Sequence, residues 1–157
     1  MSRCVALPPV CDAHLNARLR LVVESYRRLT GRDLVVAPDD EMPAALWYAP
    51  RVIVAHGTET DPLFFYGNAL ALSAFEMPYA DFVGLPSRYS AEPVNREARA
   101  ELLARVARDG YIDDYAGVRI SAAGRRFRIE AATVWNLVAA DGAVHGQAAT
   151  FVRWQPL

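Results

Sequence analysis

The last 47 residues constrain this chain most, because they read as strands separated only by turns. The runs "YIDDYAGVRIS" and "RRFRIEAATVWNLV" are parted by Ala122, Ala123 and Gly124. A second turn at Ala140–Gly142 carries an Asp-Gly pair and leads into "VHGQAATFVRW". Strands joined by connections this short pair antiparallel, since a parallel crossover needs a dozen or more residues. In the middle run, Phe127, Ile129, Ala131, Thr133, Trp135 and Leu137 occupy one set of alternate positions. Arg126, Arg128, Glu130 and Asn136 occupy the other, which predicts a sheet with one covered face and one wet face.

Upstream, Asp12 is placed to cap a helix that carries Leu15, Leu19, Val22, Val23, Tyr26 and Leu29 at helical spacing, with Gly31 as its stop. The segment 37–50 holds three prolines and the acidic run Asp39, Asp40, Glu41, and reads as a connector with one helical turn from Pro43. "RVIVAH" predicts a short strand, and "LFFY" predicts a second that runs into Asn68, a helix cap for "ALALSAF". Phe64 and Tyr66, or Leu63 and Phe65, then share one side of that strand. A helical turn over 79–82 and the loop "GLPSRYSAEP" follow. A longer helix from about Asn95 to Asp109 places Leu102, Leu103, Val106 and Ala107 inward and Arg99, Arg105 and Arg108 outward. The order satisfies an α+β fold: a five-stranded antiparallel sheet, helices on one face and an N-terminal flanking helix. The expected division is 1–50 as helix and connector and 51–157 as the sheet domain.

Several chemistries find no footing. A net charge of −1 gives no pull toward nucleic acid or membrane. Arg119, Arg125, Arg126 and Arg128 cluster about one hairpin, but Glu130, Asp113 and Asp114 lie nearby, so ion pairs are expected rather than phosphate contacts. Cys4 and Cys11 have no metal-ligand company, and His14, His56 and His145 have no local triad or metal partner. Ser87 and Ser90 lack a nucleophile elbow, and "GNALALSAF" lacks the spacing and lysine of a phosphate loop. Asp113 and Asp114, adjacent on a strand, point to opposite faces. No catalytic and no metal residue is assigned. The N-terminus is a poor signal peptide and no run reaches the roughly 20 apolar residues of a membrane span, so the cytoplasm is expected.

The order of elements and the "FFYGN…AL…F" corner resemble a PAS domain. "FFYGNALALSAFEM", "LPSRYSAEPVNR", "DGYIDDYAGVRIS", "GRRFRIEAATVWNL" and "GQAATF" further resemble the MEKHLA domain family, a PAS-related group, in its stand-alone bacterial form; the family also ends plant class III homeodomain–leucine-zipper proteins. The resemblance implies a small-molecule pocket or partner surface where the helices cross the sheet. Strand phase and that placement nominate Tyr66, Asn68, Arg88, Asn95, Thr133, Trp135, Gln147 and Phe151 as the ligand pocket, with Ala149 leaving room beside Gln147. A cysteinyl–flavin photocycle is excluded because "LPSRYSAEPVNR" has no cysteine. Haem held from the long helix is disfavoured because Asn95–Asp109 has no histidine, while Arg88 and Arg96 offer a basic pocket of the citrate-sensor kind. The cofactor stays unassigned. The expected activity is non-catalytic sensing of a small molecule or protein partner, in a homodimer formed through the N-terminal helix, with the output in a separate protein. The alternative is a small-molecule enzyme using the same pocket.

Overall fold

A computed structural model describes residues 9, 11–91 and 96–157 of the chain. Helix α1, Ala13–Thr30, begins where the Asp12 carboxylate accepts the Leu15 N–H at 2.8 Å. It ends at Gly31, whose φ of 73° suits a residue without a Cβ. Helix α2 (Met42–Trp47) has Pro43 in its first turn. Then come β1 (Val52–His56), β2 (Phe64–Gly67), α3 (Ala69–Phe75), α4 (Tyr79–Phe82) and α5 (Arg96–Asp109). The chain closes with β3 (Tyr111–Ile120), β4 (Arg126–Val138), β5 (Val144–Phe151) and β6 (Arg153–Pro156).

The sheet runs β2-β1-β5-β4-β3, every pair antiparallel, with β6 beside β4. The expected long last strand is broken at Val152. Its first part, β5, pairs with the C-terminal half of β4, where Thr133 faces Thr150. Its remainder, β6, pairs with the N-terminal half, where Ile129 faces Trp154. One strand thus serves two neighbours along the same edge.

That division carries a change of phase, which corrects the single alternation read along β4. Ala131 has a φ of 50°, and the ladder to β3 slips between Tyr115 and Gly117 at the same point, a bulge. Before it, Phe127 packs edge-on against Phe75 of α3, ring centroids 5.4 Å apart. After it, Asn136 faces that helical layer and donates to the Val106 carbonyl of α5 at 3.0 Å. Trp135 points the opposite way: its ring meets Tyr26 of α1 at 4.8 Å and its Nε1–H donates to the Val22 carbonyl at 3.2 Å. The wet face therefore exists only over the first half of β4. Ala132 to Leu137 are all buried, because α1 covers one side and α5 the other.

Leu19, Val22, Val23 and Tyr26 of α1 share one core with the sheet residues, so packing continues across the expected boundary at residue 50. On α5, Leu102 and Val106 are buried as expected, whereas Ala107 is exposed.

The strand-to-helix corner is built on a second bulge, at Phe65, since Ala55 faces Tyr66 while His56 faces Phe64. Phe64 stacks on Phe82 of α4 at 4.3 Å, whereas Phe65 lies under the Arg18 guanidinium and Tyr66 meets Trp47 edge-on. Phe64 and Tyr66 do not share one side, because the bulge turns Phe65 and Tyr66 together away from Phe64. Asn68 fixes the turn that follows. Its Oδ1 accepts the N–H groups of Ala71 and Ile53, and its Nδ2 donates to the carbonyls of Leu46 and Arg51. One fully buried amide joins α2, β1 and α3.

Asn68→Ala removes all these bonds and leaves buried backbone groups unpaired. It is expected to lower the unfolding free energy by about 3 kcal/mol or more in urea denaturation. A loss under about 1 kcal/mol would contradict the clamp.

Candidate functional site

A cavity of ≈ 60 Å³ lies between the sheet and the helices that cross it. Its apolar wall comes from Phe64, Phe75 of α3, Leu102 and Leu103 of α5, and the β4 residues Ile129 and Val134. Ala132 and Ala149 contribute small surfaces that leave the space open. The polar groups at its edge are His56, Ser90, Tyr115, Arg119 and Gln147. The volume is small beside the roughly 300–1,000 Å³ of drug-sized sites. A second hollow of ≈ 180 Å³ shares Phe64, Phe75 and Ser90 with it and opens past Met77, Phe82 and Tyr89.

Backbone geometry brings Gln147 to one end of the cavity. Gly146 has a φ of 142°, and a Cβ there would sit 2.0 Å from the His56 carbonyl oxygen. Only glycine lets β5 approach β1 this closely, which sets Gln147 opposite His56 on one side and Asn136 on the other. The Gln147 Nε2 donates to Asn136 Oδ1 at 3.1 Å and to the Leu103 carbonyl at 3.3 Å. Its Oε1 is buried and has no hydrogen-bond partner among the described residues. Nearby, His56 Nδ1 lies 3.0 Å from the Gly57 carbonyl.

Arg119 supplies the other charged element. It is 9% exposed, donates to the Val118 carbonyl and lies 5.1 Å from the Tyr115 ring centre, with no carboxylate partner among the described residues. The arginines of the hairpin therefore do not form one surface: Arg125 pairs with Glu76, Arg128 with Glu130, and Arg119 turns inward.

Of the nominated residues, Gln147 and Phe151 line the cavity. Thr133 and Trp135 do not; the bulge at Ala131 turns both toward α1. Tyr66 also lies on the α1 and α2 side, and burial pushes its phenol well above the ordinary value, so it stays an O–H donor. Asn68 spends both donors and both accepting positions on backbone groups. Arg88 sits in the outer loop, its Nε 3.0–3.1 Å from the Asp61 carboxylate oxygens and its guanidinium over Tyr89. Asn95, Cys4 and the Arg96 side chain lie outside the described residues. Sequence reasoning missed Arg119, Tyr115 and Asn136. For Asn136 a signal existed: "ATVWNL" is too continuous a run for a strand with a wet face. Nothing in the sequence separates Arg119 from its exposed neighbours.

Among the described residues no cluster of three or more His, Cys, Asp or Glu is placed to hold a metal, and no helix is long and apolar enough to cross a membrane.

A sheet in this order, with a helical layer over its concave face and a small cavity between them, defines a PAS-like α+β fold. A PAS domain from Colwellia psychrerythraea is similar over 75% of this chain and 95% of that one, with TM-score 0.62 and 14% identity. An RNA-binding light-oxygen-voltage receptor is similar over 76% of this chain and 34% of that one, with TM-score 0.60 and 16% identity. Within that class, residues 16–156 match the profile of the MEKHLA domain, and the chain belongs to that family. Homeobox-leucine zipper protein ATHB-9 of Arabidopsis thaliana is 27% identical over 143 residues, 87% of this chain and 17% of that protein. Homeobox-leucine zipper protein HOX9 of Oryza sativa is 26% identical over 138 residues, 86% of this chain and 16% of that protein. The chain thus spans about a sixth of the length of these relatives.

Asn136 bonds both α5, at the Val106 carbonyl, and the Gln147 amide. Asn136→Ala is expected to speed amide hydrogen exchange throughout α5 while leaving α1 at its original rate. Equal acceleration in both helices would contradict the local role.

Proposed function

We propose that this chain is a PAS-like sensory module that binds a small molecule in the concave cavity and transmits the change through α5, without catalysis. The observation that carries the reading is Gln147. It presents a buried acceptor, unpaired among the described residues, in a largely apolar cavity and is bonded to an α5 carbonyl through its other end. A ligand that engages Gln147 acts on a group already tied to the helix. The MEKHLA family membership and the PAS-like fold support sensing as the class of activity.

The signal passes to a second copy or to a separate output protein. The apolar face of α1 lies on the chain's own sheet, so a homodimer would use another surface. We extend the proposal to a stand-alone, cytoplasmic homodimer of the bacterial type that contacts neither nucleic acid nor membrane. Sedimentation velocity at micromolar concentration is expected to show a dimer, and a monomer would overturn that part.

A small-molecule enzyme in the same cavity is the competing reading. The described lining holds no carboxylate to pair with a general acid or base, which favours sensing. Mass spectrometry of the purified protein, native and then denatured, identifies a bound compound, and incubation tests its fate. A sensor returns the compound unchanged, whereas accumulation of a product supports the enzyme. Ala149→Leu fills the cavity at a cost of about 1–3 kcal/mol in stability and is expected to abolish copurification. A folded Ala149→Leu protein that retains the compound would place the site elsewhere.

A further inference from the structure

The hydrogen-bonding order around Gln147 sets what kind of group its site accepts. A backbone carbonyl only accepts, so Asn136 must present its Nδ2 to the Val106 carbonyl, as observed at 3.0 Å. That leaves Asn136 Oδ1 toward Gln147, which must answer with a donor; its Nε2 does so at 3.1 Å. The Leu103 carbonyl at 3.3 Å imposes the same demand from α5. Both conditions fix the Gln147 amide in one orientation, with Oε1 as the atom left over. Gln147 is 9% exposed, and Oε1 is buried with no partner among the described residues.

We infer that the cavity selects a neutral hydrogen-bond donor, an O–H or N–H on a compact and otherwise apolar molecule, which pairs with Gln147 Oε1. This rests on the small-molecule reading above and deepens it by naming the ligand's chemistry. An acceptor-only group at this position sets lone pairs against lone pairs, and accommodating it by rotating the amide breaks the bonds to Asn136 and Leu103. A cationic amine fits no better. The described lining contains no carboxylate, and its one guanidinium, Arg119, adds like charge. Alcohols and heteroaromatic N–H compounds meet all three conditions. The volume of ≈ 60 Å³ favours molecules of few heavy atoms, unless α5 shifts or the ligand extends into the adjoining hollow.

Size-matched fragments test this directly by NMR titration of the full chain. One pair is 1-butanol and methyl propyl ether, isomers that differ in the O–H. The other is pyrrole and furan, which differ in the N–H. For the native protein, the donor member of each pair is expected to bind about tenfold more tightly, with shifts at Leu103, Val134 and Ala149, because it pairs an otherwise unsatisfied buried acceptor. In Gln147→Leu the preference is expected to fall to within about twofold; Gln147→Met serves as a second variant if Leu fails to fold. Fragments that shift the cavity amides with no donor preference overturn this inference and leave the small-molecule reading standing, as does a preference that survives both substitutions. If none of the four shifts those amides, the small-molecule reading falls, and the inference with it.

Discussion

The reversal of phase at Ala131 is the constraint on which the site depends. Without it, an uninterrupted alternation along β4 would put Trp135 with Phe127 and Ile129 under the crossing helices and turn Asn136 toward α1. With it, the indole fills the α1 side and the amide reaches α5. A non-glycine residue at positive φ costs on the order of 1 kcal/mol, a cost offset here by the burial of β4 on both faces. The bulge also falls where β4 changes partners from β6 to β5, so the break at Val152 and the bulge belong to one solution.

The two helical layers meet opposite faces of the sheet and pack on it with different side chains. Alpha-1 docks through large side chains, with Tyr26 against Trp135 and Arg51 reaching over the Tyr26 ring toward Thr150. Alpha-5 docks through a small apolar set, Leu102 and Val106 with Ile112 and Val134, supplemented by the amides of Asn136 and Gln147. Each such hydrogen bond contributes about 1 kcal/mol net, a term that a ligand donor or acceptor is able to redistribute. Both helices also hydrogen-bond the sheet, α1 through the Val22 carbonyl and the Ser25 hydroxyl, but of the two only α5 lines the cavity, through Leu102 and Leu103. That asymmetry supports α5 as the route of transmission in the proposed sensor.

Much of the fold was legible because caps and turns have chemical signatures. Asp12, Gly31 and Asn68 act at the helix ends where their side chains or φ freedom predicted, and both hairpins turn where Gly124 and Asp141-Gly142 punctuate the chain. The bulges at Phe65 and Ala131 had no such signature. Neither residue type marks a bulge, and each shifts every later side chain by one face. Thr133 and Trp135 were misplaced for that reason alone. Gln147 and Phe151 escaped the error because β5 keeps a single phase over its pairing with β1. Arg88 was legible as a cation but not as the partner of Asp61, a contact across 27 positions in sequence. The fully buried Asn68 offered a cap by type, yet its second hydrogen-bonding edge, toward Leu46 and Arg51, depends on where α2 packs.

The most direct measurement of the central claim is a crystal structure of the protein with the compound that denaturing mass spectrometry identifies in the purified material. The account predicts ligand density between α5 and the concave face of the sheet, with a donor atom within about 3.2 Å of Gln147 Oε1 and the amide still bonded to Asn136. Density on the α1 side near Tyr66 and Trp135, or a ligand in the cavity that leaves Oε1 unpaired, would contradict it.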